Sequence, residues 1–207
     1  MGIRKIIKKG DISLKKTSRP ITEYNARLKI LLDDMRDTLA EANGVGLAAP
    51  QVGVLRRAVL VADVSGEEPV IYELVNPEIV SSEGEQIGPE GCLSLPNIWG
   101  IVTRPEKVKV HAFDRNGEPF ELEAEGLLAR ACCHEIDHLN GILFDSLVDR
   151  FLSDEAIENL EASIDSHAGE DITAQAFFIK DEVLGKMAAL RALCVRRKDR
   201  WSRRFQG

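Results

Sequence analysis

No stretch of this sequence stays apolar long enough to cross a bilayer, because charge interrupts every run well before the roughly 18 residues that a span needs. No short apolar segment follows the basic start, so no secretory signal is read there. Ile6 stands where a myristoylation pattern needs Ser or Thr. The expectation is a cytoplasmic protein with no membrane partner. Cysteine is scarce, at four residues, and two of them, Cys132 and Cys133, are adjacent. Without an export signal they read as thiols and not as a disulfide framework. Neither G-x-G-x-x-G nor a Walker pattern occurs, which removes the usual sequence grounds for a phosphate cradle. Basic charge is in deficit as well: the net charge of −7 argues against general affinity for nucleic acid. The exception lies at the end of the chain. From Ala168 onward there are nine Lys/Arg against five Asp/Glu.

The 207 residues, 44% apolar and 29% charged, suit one ordinary domain able to bury its own core. Between Ile21 and Asn43 the apolar residues Leu28, Leu31, Leu32, Met35 and Leu39 form a helical stripe, with Thr22 as the expected N-cap and Asn43-Gly44 as the stop. Strands are expected over Arg57 to Asp63, Val70 to Val75 and Lys107 to Phe113. Asp114-Arg115-Asn116-Gly117 is turn chemistry, and Phe120 and Leu122 then alternate with glutamates, so a hairpin is expected there. A helix returns from Glu125 to Leu139, and a short one is read from Ser153 to Asp165. Strands that outnumber helices and lie next to each other in sequence indicate an α+β fold with antiparallel sheets.

His134-Glu135-Ile136-Asp137-His138 carries the chemistry. On a helix, residues four apart lie one above the other, so two imidazoles can share one metal ion. Glu135 sits about 100° round the same helix, too far to be an obvious third ligand and well placed to contact a water on the ion. A catalytic site of this kind needs a third protein ligand and one open position. Cys92, a thiol between glycine-rich residues, is the leading candidate; His111 and His167 are the others. Taken alone, the small-residue segment Gly44-Val45-Gly46-Leu47-Ala48-Ala49-Pro50-Gln51 reads as a tight connection after a helix.

These segments, together with Glu90-Gly91-Cys92-Leu93-Ser94, resemble in order and spacing the three motifs of the peptide deformylases. The resemblance runs from about Ile3 to about Asp165, dividing the chain into a catalytic domain, residues 1–165, and a basic C-terminal extension, residues 166–207. It implies antiparallel β-sheets around a central helix that carries the HExxH motif. It implies the activity too: a metal-dependent hydrolase that removes the N-formyl group from the N-terminal formylmethionine of newly synthesised polypeptides, releasing formate. By the same likeness Cys92, His134 and His138 are the metal ligands, Glu135 is the general acid/base, and Gln51 with the backbone N–H of Leu93 stabilises the oxyanion. Val45, Gly46 and Leu127 match substrate-contacting positions, with Val45 and Leu127 lining the methionine pocket. Glu90 and Arg104 match a structural ion pair. The implied ion is Fe2+, with Zn2+ or Ni2+ able to substitute, since the His2Cys donor set accepts all three.

The sequence departs from the family pattern at Asp11-Ile12, where many relatives have Asp-Pro, and at Cys133, where Gln is frequent; neither touches the assigned ligands. Two other functions compete. A zincin-type metallopeptidase shares HExxH but takes its third ligand downstream. A non-catalytic metal-binding homologue would be marked by loss of Glu135 or Gln51, and both residues are present. The extension has Val183, Met187, Leu190 and Cys194 at helical spacing, followed by Arg196, Arg197, Lys198, Arg200, Arg203 and Arg204. It reads either as a ribosome-contacting helix with a basic end or as a solvated, disordered tail.

Overall fold

The apolar run Ala58-Val59-Leu60-Val61-Ala62 needs cover on both faces, and the architecture is arranged around that need. In the computed structural model, which describes residues 2–66, 69–153 and 155–156, this run forms strand β2 (Ala58–Asp63). Val59 and Val61 face one way and meet Ala129, Cys132, Ile136 and Leu139 of helix α2 (Gly126–Leu139). Ala58 and Leu60 face the other way and meet Leu28, Leu31, Leu32, Met35 and Leu39 of helix α1 (Ala26–Ala42). A strand buried on both sides is apolar without alternation, whereas each helix needs only one apolar stripe.

β2 belongs to an antiparallel sheet of five strands. The others are β1 (Gly46–Ala48), β3 (Val70–Glu83), β6 (Lys107–Phe113) and β7 (Pro119–Glu125), in the order β1-β2-β3-β6-β7. A second antiparallel sheet, β4-β5-β8, is formed by β4 (Gln86–Cys92), β5 (Leu95–Arg104) and β8 (Arg150–Phe151). Its own apolar cluster is Leu14, Leu95, Val102, Leu143 and Phe144. The α+β class with antiparallel sheets agrees with the reading of the sequence.

Local details follow from side-chain chemistry. The N-cap of α1 is Asn25 and not Thr22: its Oδ1 accepts from the N–H groups of Arg27 (2.9 Å) and Leu28 (3.3 Å). Thr22 cannot start the helix because the amide of Asn76 bonds both the N–H and the carbonyl of Ile21, each at 2.8 Å, which holds that stretch outside the helix. Asn43 ends α1 in the left-handed region at φ 52° and returns its N–H to the Leu39 carbonyl. The β6–β7 hairpin pairs Lys107 with Glu125 through to Phe113 with Pro119. Asp114 closes its turn by accepting from the N–H groups of Asn116 (2.7 Å) and Glu118 (2.9 Å). β3 runs well beyond Val75, where the apolar alternation stops, because β6 continues to pair with it past two register shifts. Only the first residues of the helix expected over Ser153 to Asp165 are described, so that expectation lies almost wholly outside the described residues.

Glu73 on β3 joins α1 to the hairpin turn. Its carboxylate accepts from Arg36 (2.7 Å) and twice from Arg115 (2.6 and 2.7 Å). Burial opposes its charge, but the Arg115 and Arg36 bonds overcome that and hold its pKa below the usual value. The depressed folded-state pKa gives the sign: the stabilisation is complete above the ordinary carboxylate range and is lost as pH falls through it toward the folded value. Glu73→Gln should therefore lower unfolding stability at pH 7 by about 1–3 kcal/mol. In urea titrations the gap from wild type should close as the pH is lowered through and below the carboxylate range; a gap independent of pH would show that the ion pairs do not stabilise the fold.

Candidate metal centre and catalytic site

Helix α2 lays its apolar stripe on the five-stranded sheet, and His134 and His138 lie along it one turn apart. Their ring centroids are 5.0 Å apart, and the two residues are 8% and 1% exposed. Cys92 arrives from the other sheet, at the end of β4, with its Sγ 3.2 Å from His138 Nε2. Each of the three offers one ligand atom, and all lie within 4.8 Å of one another. Two imidazoles and one sulfur are a donor set for zinc, nickel or iron, and the convergence of three such donors in a buried place fits a single ion. Burial and the neighbouring His134 hold the His138 imidazole well below its ordinary pKa, so it is neutral, as a ligand must be. At His134 burial disfavours charge, yet the bonds to Cys92 and Glu90 raise its pKa well above the usual value. This point attracts positive charge, whether from a proton or a metal ion.

Glu135 is 4% exposed, and its Oε2 has no hydrogen-bond partner among the described residues. Burial pushes its pKa up to about 7. It lies directly under β1, where a Cβ on Gly46 would run into the Glu135 carboxylate; only glycine lets the strand pass so close. Gln51, in the turn after β1, is fixed at both ends of its amide. Oε1 accepts from the Ala48 N–H at 2.7 Å, while Nε2 points toward Cys92 Sγ (3.6 Å) and Ser94 Oγ (3.3 Å). Leu93 follows Cys92 and is half-buried, its carbonyl held by Lys8 Nζ at 2.6 Å. Val45 and Leu127 are also half-buried, and both pack on Ala62 and Val64.

Behind the imidazoles is a buried charged network. Glu90, 4% exposed, accepts from Arg104 Nε (2.8 Å) and Nη2 (3.1 Å) and from Arg130 Nη1 (3.0 Å), and it contacts His134 Nδ1 at 3.0 Å. Burial opposes its charge, but His134 and Arg104 bring its pKa down to about 2, so the group is an acceptor only. His134 Nδ1 must then be the donor, which leaves Nε2 as the atom that can face a metal. Arg104 also donates to Asp137 on α2 at 2.7 Å. Arg130 and Asp137 were not singled out from the sequence. The signal for Arg130 was there: it stands four residues before His134, a charge on the apolar face of the helix.

The remaining candidates lie elsewhere. His111 is on β6, edge-on to Phe113; His167 and Cys194 lie outside the described residues. Burial pushes the thiols of Cys132 and Cys133 up to about 12 and about 11, so they are neutral packing groups. No helix among the described residues is long and apolar enough to cross a membrane.

Comparison with known proteins agrees with this arrangement. The family model for polypeptide deformylase matches residues 3–152. The peptide deformylase of Caldicellulosiruptor bescii is 60% identical over 158 residues, 76% of this chain and 93% of the relative. Among solved structures, a peptide deformylase from Legionella pneumophila is similar at a TM-score of 0.66 and 42% identity, covering 81% of this chain and 99% of that one. The Met-Ala-Ser-bound class I type b peptide deformylase from Acinetobacter baumannii is similar at 0.67 and 37%, covering 70% and 98%. A match that spans both sheets, both helices and every residue of the Cys-His-His cluster leaves one conclusion: the chain belongs to the polypeptide deformylase family.

Proposed function

We propose that Cys92, His134 and His138 hold a divalent ion, Fe2+ by the family likeness with Zn2+ or Ni2+ able to take the same donors, and that the site removes the formyl group from N-terminal formylmethionine. The observation that carries the reading is the convergence of those three donors beside a buried carboxylate with an unpartnered oxygen. When bound, the ion supplies an activated water and a Lewis acid for the formyl oxygen. Glu135 takes the water's proton and delivers it to the departing amine, so that water adds to the formyl carbon, the C–N bond breaks, and formate and a free N-terminus result. Gln51 Nε2 and the Leu93 N–H donate to the oxygen that becomes negative. Val45 and Leu127 give an apolar pocket for an unbranched thioether side chain, and Gly46 leaves room for the substrate backbone beside Glu135. The peptide Met-Ala-Ser bound to the Acinetobacter baumannii relative has the sequence that such a pocket would take after deformylation. In this reading α2 is the central helix of a catalytic domain of residues 1–165, working in the cytoplasm on nascent chains. A zincin-type metallopeptidase would take its third ligand downstream of the helix, whereas the sulfur here comes from β4, upstream.

Under anaerobic conditions the purified protein should release formate from formyl-Met-Ala-Ser, and chelation should stop the release until metal is restored. Formate release that is indifferent to a strong chelator would overturn the metal assignment. Glu135→Ala removes the proton carrier and no ligand, so metal content should stay stoichiometric while kcat falls about 10²–10⁴-fold. Near wild-type turnover would exclude Glu135 as the acid/base.

The basic extension, residues 166–207, lies outside the described residues, and we propose that it contacts the ribosome. Its clustered cations would give a salt-dependent attraction to RNA phosphates. Deleting residues 168–207 should leave hydrolysis of a short formyl peptide intact and weaken ribosome co-sedimentation, most at low salt. Unchanged co-sedimentation would mean that the tail does not recruit the enzyme.

A further inference from the structure

Helix α2 approaches β1, β2, β3, β6 and β7 closely along its backbone, but not the strand pair β4–β5 that delivers Cys92. Two histidine ligands therefore sit on one layer of the protein and the sulfur ligand on another. The connection between the layers is made by side chains. From the strand side, Arg104 on β5 reaches Asp137 on α2. From the helix side there is Arg130, 7% exposed. Being four residues before His134, it lies on the same helical stripe, and long helical side chains lean toward the N-terminal end, away from the imidazole.

Its guanidinium spans the strand pair. Nη1 donates to Glu90 Oε1 at 3.0 Å, to the Val102 carbonyl at 3.0 Å and to the Gly88 carbonyl at 3.4 Å; Nη2 donates to the Gln86 carbonyl at 3.3 Å and to Gln86 Oε1 at 3.5 Å. Gly88 pairs with Val102 across β4 and β5, so Arg130 grips both strands at one rung. Gly88 also makes room for it, since a Cβ there would lie 3.2 Å from Arg130 Nη2. The bond to Glu90 Oε1 matters most, because Glu90 Oε2 is the oxygen that meets His134 Nδ1.

We propose that Arg130 is a positioning residue of the metal centre: it fixes the Cys92 strand against the histidine helix and, through Glu90, fixes the plane of the His134 imidazole. The inference rests on the proposed Cys92-His134-His138 site. Without Arg130 the Glu90 carboxylate keeps Arg104 and His134 but loses a donor on Oε1, and β4 loses the clamp on its Gln86 and Gly88 carbonyls while retaining the Glu90–His134 contact and the bond from Gln86 Nε2 to the Gly126 carbonyl. Orienting groups behind metal ligands typically change metal affinity 10–100-fold when removed. A lysine would keep the charge and one bond but could not span Glu90 and the strand carbonyls together.

Cobalt(II)-loaded protein tests this apart from turnover. In wild type, sulfur and nitrogen ligation gives a visible d–d spectrum and a thiolate-to-cobalt band. For Arg130→Met we expect shifted, weaker d–d bands and cobalt transfer to a chelator at least about 10-fold faster. With the native metal, kcat should fall while KM for formyl-Met-Ala-Ser stays constant, because Val45 and Leu127 are untouched. Arg130→Lys should fall between. Gly88→Ala, which keeps the arginine but presses on its Nη2, should move the spectrum and off-rate in the same direction to a smaller extent. A wild-type spectrum and off-rate in Arg130→Met would overturn the proposal and leave Arg130 as packing, whatever the melting temperature. Should that variant fail to fold, a wild-type spectrum and off-rate in Gly88→Ala would overturn it equally. Absence of the thiolate band from wild type would instead refute the metal site, and Arg130's role with it.

Discussion

A carboxylate removed from water is the constraint on which the site depends. An isolated buried charge is costly, and burying Glu90 is tolerable only because its oxygens are filled by charged or polar donors. Those donors come from two elements: Arg104 from β5, Arg130 and His134 from α2. Meeting the needs of one side chain thus brings together two layers whose backbones hardly touch. It also settles a question of chemistry. With Glu90 an obligate acceptor, His134 is oriented with Nδ1–H toward it and Nε2 toward Cys92 and His138.

Apolar packing and polar contacts divide the work. Burial of β2 between α1 and α2 makes the five-stranded sheet the rigid part of the molecule and holds α2 in place by close packing. The smaller sheet has little of this. Its own apolar cluster is small, and β4 reads Gln86-Ile87-Gly88-Pro89-Glu90-Gly91-Cys92, with no apolar face to press on a neighbour. Directional bonds take over where the hydrophobic effect is weak, and they set position more sharply than apolar contact does. That suits a sulfur atom that has to be placed within tenths of an ångström of a common point with two nitrogens.

The same division explains what could be read in the sequence. Hydrophobic period marked α1, α2, β2 and the β6–β7 hairpin to within a residue or two at most ends, because packing on the large sheet is what made those elements. The start of α1 escaped, since the competition between Thr22 and Asn25 is decided by Asn76, distant in sequence, which holds Ile21. The extension of β3 beyond Val75 escaped too, because its later residues are ordered by pairing with β6 and face solvent. Strands β4 and β5 carried no usable period. Of the site, the paired histidines were legible from helix geometry alone, while Cys92 was only the best of several candidates until its strand was seen to end beside them. Asp137 and Arg130 were not singled out, although Arg130 stands four residues before His134 and is buried on the same stripe, while Asp137 is only half-buried and owes its place to Arg104.

Glu135 shows what the polar network leaves undone. One carboxylate of the cluster, Glu90, has every oxygen bonded and its pKa brought down to about 2; the other, one residue beyond His134, keeps an unpartnered oxygen and is raised to about 7. Both are buried, each 4% exposed, and what chiefly separates them is the donors that offset burial at Glu90 and are missing at Glu135 Oε2. Two arginines and an imidazole N–H lie on the Glu90 side of the helix, and on the other side the Gly46 backbone closes over Glu135 with no side chain to offer a bond. Two carboxylates that meet one turn of α2, Glu90 from β4 and Glu135 on the helix itself, therefore have opposite tendencies, one held anionic against His134 and the other raised toward neutrality, as the proposed acid/base role requires. The asymmetry comes from what surrounds each one, the arginines of β5 and α2 at Glu90 or the glycine of β1 at Glu135, so the two carboxylates are set apart by the layers that meet at the helix.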